Sequence, residues 1–152
     1  MNEVKDSYIQ SKSYTTSQKI IRFIQERKTA SPYEFWKEIS KYKKVSYQVI
    51  CRYFYILEKV GIIKLFKIVR DDKSKIPKHL YIVIPKDKYI PPDFILKDPY
   101  FAGRSFEEIY DMLSRNPQII WKSYRRRREY KSYKEALRKY REKHRKFRIQ
   151  TL

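Results

Sequence analysis

A mainly α chain with one small β-hairpin and a basic helical extension is the fold class that the sequence predicts, on three observations. Apolar residues recur at helical spacing through residues 15–60 and again from 105 onward. Two short β-branched runs, "IIKLFKIVR" (62–70) and "HLYIVIP" (79–85), flank the polar loop "DDKSKIPK". Only two glycines stand against 15 tyrosines, so most of the chain belongs to regular elements. With 152 residues, 41% of them apolar, one modest core and an appendix are affordable, but hardly two full domains.

Residues 1–14 carry no periodicity and are expected to form a flexible arm. In "TTSQKIIRFIQERK", Ser17, Ile20, Ile21 and Ile24 share one helical face. "SPYEFWKEISKY" opens the second helix: Ser31 is its cap, Pro32 suits its first position, and Glu34 reaches back to the free backbone amide. Phe35, Trp36 and Ile39 are its expected inner face. A third helix starts at Ser46, carries the stripe Ile50, Tyr53, Phe54 and Leu57, and stops at Gly61 in the left-handed conformation. After the two strands, Pro91, Pro92 and Pro99 make residues 87–104 an irregular linker whose aromatics pack back on the body. Residues 105–152 are the helical extension. It begins with a second capping box, Ser105 and Glu108, and the stripe Phe106, Ile109, Tyr110 and Leu113; Asn116 and Pro117 then open a last, basic helix.

Three helices followed by a hairpin, with "LEKVGII" (57–63) running from the third helix into the first strand, resemble the winged helix-turn-helix family over residues 15–86. One feature departs from that family's pattern: the short strand often found between its first two helices has only "TAS" to represent it. The resemblance implies double-stranded DNA as partner, with the third helix in the major groove and the hairpin, or wing, on the backbone. The outward face of that helix then supplies Tyr47, Gln48, Arg52, Tyr55 and Lys59: Gln48 suits an adenine edge, Arg52 a guanine edge, and the tyrosine hydroxyls suit phosphates. Arg70, Lys73, Lys75 and Lys78 are the wing candidates, although Asp71 and Asp72 sit among them.

Charge points the same way. Thirty-seven Lys and Arg against 17 Asp and Glu give +20, a self-repulsion that a polyanion offsets. No run approaches the roughly 20 apolar residues of a spanning helix, and "MNEVKDSYIQ" has no apolar signal core, so a soluble, cytoplasmic protein without a membrane partner is expected. High Lys, Ile and Tyr with scarce Asn resembles the composition of proteins from hot-acid archaea and their viruses, which would make that the host cytoplasm for a viral protein.

In the last helix, Arg125, Arg126, Arg127 and Arg128 cover most of the circumference, which suits nucleic-acid backbone. Below them Tyr130, Tyr133, Leu137, Tyr140, His144 and Phe147 recur at the steps of a short coiled-coil seam. That seam either pairs with a second copy, giving a homodimer, or folds back on Phe106, Ile109 and Leu113; the dimeric habit of regulators with this fold favours the former. Chemistry has little to stand on. Two glycines cannot build a phosphate-cradling loop, His79 and His144 lie far apart, and the lone Cys51 forms no intramolecular disulfide. No catalytic site, metal, cofactor or small-molecule ligand is expected. The expected function is sequence-specific DNA binding in transcriptional regulation; the alternative is an architectural, genome-coating or packaging protein with little sequence preference.

Overall fold

Thr15 and Gln18 open helix α1 (Thr16–Arg27) by reciprocal bonds: the Gln18 amide donates to Thr15 Oγ1 at 3.2 Å and the Thr15 amide to Gln18 Oε1 at 2.9 Å. This computed structural model describes residues 8–70 and 77–120. The Ser17, Ile20, Ile21 and Ile24 face of α1 is buried as its spacing predicts, and Phe23 joins it. Residues 8–14 differ from the expected loose arm. Tyr8 and Ile9 are buried, and Arg22 of α1 lies over both the Tyr8 ring (5.2 Å) and the Tyr14 ring (5.8 Å). Two adjacent apolar residues are too short a run to register as a period.

Helix α2 (Pro32–Ile39) has the expected box, with the Glu34 amide donating to Ser31 Oγ and the Ser31 amide to Glu34 Oε1, both at 3.2 Å. Phe35 and Ile39 are buried, whereas Trp36 is only half-buried. Helix α3 (Tyr47–Lys59) is capped by Ser46 and ends at Gly61, whose φ of 85° is the predicted left-handed stop. Its buried stripe is Ile50, Phe54, Ile56 and Leu57; the expected Tyr53 is half-buried. Rings connect the layers: Phe35 stands edge-on between Phe23 of α1 and Phe54 of α3.

Strands β1 (Ile63–Val69) and β2 (Lys78–Val83) form the antiparallel hairpin, in register from Ile63 opposite Val83 to Val69 opposite Lys78, with a bulge between Leu65 and Lys67. On the other side of β2, Ala30 pairs with Tyr81: the Tyr81 amide donates to the Ala30 carbonyl at 2.9 Å and the Ala30 amide to the Tyr81 carbonyl at 3.3 Å. The stretch "TAS" thus contributes a single bridge in place of a strand.

Residues 84–117 belong to the same compact unit, which ends at Pro117; a second begins at Gln118. They form two 3-10 turns (Lys86–Lys88 and Pro99–Phe101), the short helix α4 (Asp93–Leu96) and helix α5 (Phe106–Arg115). Tyr89, Ile95 and Phe101 are buried, so the irregular segment does pack on the body, although Phe94 stays 43% exposed. The Tyr89 hydroxyl donates to the Val60 carbonyl at 2.6 Å and the Tyr110 hydroxyl to the Ile84 carbonyl at 2.8 Å. Helix α5 packs against α1 and therefore belongs with the body, not with the basic extension that was expected to start at 105. Ile109, Tyr110 and Leu113 are its buried stripe, but Phe106 is 45% exposed. Only half of its expected capping box forms. The Glu108 amide donates to Ser105 Oγ at 3.1 Å, while the Glu108 carboxylate leans to Arg104 at 3.9 Å.

Candidate nucleic-acid interface

Because α3 buries Ile50, Phe54 and Leu57 on one side, its other side faces outward. Gln48, Arg52, Tyr55 and Lys59 are all exposed there, and at the helical step they fall within an arc of about 60°. That is one amide, two cations and a phenol in a row. Lys59 Nζ lies 6.0 Å from the Tyr55 ring centre, and Tyr55 is 58% exposed. Arg52 makes no hydrogen bond or ion pair among the described residues, so its five donors are available to an incoming acceptor. Cys51, beside this row, is half-buried.

Tyr47 sits apart from the row, at the start of the helix, in a cluster that sequence reasoning missed. Its ring is 6.1 Å from Tyr33 and 5.8 Å from Trp36, and Tyr33 and Trp36 are themselves 5.7 Å apart. The Trp36 indole donates to the Val45 carbonyl at 2.9 Å. Together these contacts tie the first turn of α3 to α2 and to the connecting turn. Burial, with the neighbouring Cys51 thiol, pushes the Tyr47 phenol up to about 12, so it remains a neutral donor. The sign that could have revealed the cluster is the pairing of Tyr33 and Trp36, three apart on one helix, ahead of Tyr47.

The wing candidates separate. Arg70 is exposed with no partner among the described residues, and Lys73 and Lys75 lie outside them. Lys78 has a structural engagement instead: its Nζ is 3.0 Å from Glu34 Oε1, joining the start of β2 to the cap of α2. Arg27 approaches the other Glu34 oxygen at 4.0 Å. Partial burial acts to raise the Glu34 carboxyl, but Lys78 and the Ser31 donors outweigh it and hold it below the usual carboxylate range. Two lysines not singled out from sequence, Lys64 and Lys67, are exposed on β1. Burial and the adjacent Lys43 charge lower the Lys19 ammonium, so α1 and the turn after α2 bring two cations together.

Arg125, Arg126, Arg127 and Arg128, and the seam from Tyr130 to Phe147, fall outside the described residues. Among those described, Asp111 is held by Lys86 at 2.8 Å, and no three His, Cys, Asp or Glu side chains converge on a metal-sized site. No helix among them is long and apolar enough to cross a membrane. Comparison of the chain with protein-family models, with curated proteins and with solved structures yielded no match.

Proposed function

We propose that the chain is a winged-helix protein that binds double-stranded DNA sequence-specifically and regulates transcription by occupying an operator. The observation that carries this reading is the outward row Gln48, Arg52, Tyr55 and Lys59 on a helix whose opposite face is fully buried. An α-helix fits the major groove, where glutamine and arginine each match a base edge with two hydrogen bonds. Tyr55, Lys59 and the neutral Tyr47 hydroxyl supply donors for phosphates on either side. Arg70, Lys64 and Lys67 give the hairpin cations for the backbone, with Lys73 and Lys75 of the intervening loop as further candidates.

The architectural reading stays beside it for one reason. Residues 118–152 alone hold 14 Lys and Arg against three Glu, far more charge than reading one operator needs. Selection of bound duplexes from a random pool separates the two. A consensus whose half-sites lose affinity on substitution supports the regulator; equal retention of every sequence, with a steep salt dependence, transfers the assignment to the architectural role.

A further inference from the structure

Residues 84–117 differ from the rest of the chain in charge. They hold six carboxylates against five Lys and Arg, a formal −1, which leaves +21 on the remaining residues of a +20 chain. The same segment exposes four large apolar side chains: Ile90 (73%), Phe94 (43%), Leu96 (44%) and Phe106 (45%). Three of them lie within seven residues.

These side chains are not loose. Tyr89 is buried and bonded to Val60, Pro91 is buried, Ile95 is fully buried and Phe101 nearly so. Each outward residue among Ile90, Phe94 and Leu96 is the immediate neighbour of an anchored one. The backbone therefore holds them at the rim of the core, where the part of each side chain that its own chain leaves uncovered faces water unless another surface covers it.

We infer that this segment, centred on Ile90, Phe94 and Leu96, is the surface through which two copies of the chain associate. Charge selects the occupant. Nucleic acid is disfavoured, because Asp93 and Asp98 flank the apolar residues and Asp87, Glu107 and Glu108 are close in sequence. A twofold contact brings each patch against itself, so it needs mixed charge with almost no net excess; Asp93, Lys97, Asp98 and Arg104 provide that. Residues 15–83 hold 16 Lys and Arg against six Asp and Glu, and residues 118–152 hold 14 against three, so a self-contact spread over either region meets a positive excess. The inference is independent of whether the DNA contacts are sequence-specific.

The test is sedimentation of the full chain, wild type against the pair Ile90→Glu with Phe94→Glu and against the milder Leu96→Ser, with circular dichroism to show that each remains folded. The wild type is expected to sediment as a dimer at tens of micromolar. The double variant weakens association by at least about 30-fold, as loss of a central apolar contact does, and Leu96→Ser acts in the same direction. A wild type that stays monomeric at these concentrations overturns the inference. So does a dimer untouched by these changes but dissociated by Leu137→Ser with Tyr140→Ser, which would give the interface to the terminal seam. Because these residues are distant from Gln48 and Arg52 in the sequence, a failed dimer test leaves the base-selection experiment to stand on its own.

Discussion

Arg52 and Glu34 are both charged, and their surroundings give them opposite employment. Arg52 has no partner among the described residues, so its guanidinium is desolvated only when a ligand arrives. Arg52→Ala should cost about 1–3 kcal/mol on a preferred duplex and much less on random DNA, as read by titration of the two side by side. An equal loss on both would make Arg52 a phosphate contact. Glu34 is satisfied already, by Ser31, Lys78 and, more distantly, Arg27. Glu34→Gln should lower stability by about 0.5–1 kcal/mol near neutral pH, through the lost ion pair, because glutamine keeps the capping-box acceptor. The folded carboxyl is held below its ordinary value, so its contribution is complete above about pH 4.3 and is lost as the pH falls through the lowered folded value. Urea unfolding of the two proteins should therefore differ near neutrality and converge in acid. A difference that persists in acid would assign the effect to packing. Lys78, committed to this pair, should affect stability more than the salt dependence of DNA binding.

Among the elements, the helices were the most legible part of the sequence, and the particular partners of the irregular segment, beyond its packing on the body, the least. Helices α1 to α3 announce themselves through caps and period: Ser31 with Glu34, Ser46, Gly61 and the isoleucines of α1 each act through bonds or torsions local to a few residues. The outward row of α3 follows from the same period, which is why most of the candidate interface could be read. What could not be read depends on distant partners. Nothing near Lys78 shows that it reaches Glu34, and nothing near Ala30 shows that it pairs with Tyr81. Tyr89 is the strongest case. Its hydroxyl crosses to the Val60 carbonyl at the end of α3, and its ring, with Pro92, lies against Gly61 at 3.5–3.7 Å from where a Cβ would stand. Tyr89→Phe keeps the ring but leaves a buried carbonyl without its donor, and should lower stability by about 1–3 kcal/mol in thermal or urea unfolding. An unchanged melting temperature would mean that another donor replaces the hydroxyl.

For the whole molecule, a composition so rich in isoleucine and tyrosine puts weight on how the edges of its hairpin meet other chains. Ala30 bridges the outer edge of β2 at Tyr81 alone, and no strand pairs with the far side of β1 among the described residues. Phe66 and Ile68 are exposed on it, a combination that invites strand-on-strand stacking. The bulge at Phe66 interrupts the regular alternation there, and Lys64 and Lys67 place a cation on each side of the interruption. Fibril growth favours a flat, uncharged segment of six or seven residues; this strand has the length, but its bulge and its two lysines deny it the other two conditions. Deleting Phe66 should restore an unbroken ladder to Ile63–Val69 and make the edge a better nucleus, seen as a shortened lag before thioflavin fluorescence rises on gentle heating. A deletion variant with the lag of the wild type would show that the lysines alone are enough. On this account the one residue that breaks the register of the hairpin sets the shelf life of the protein in concentrated solution.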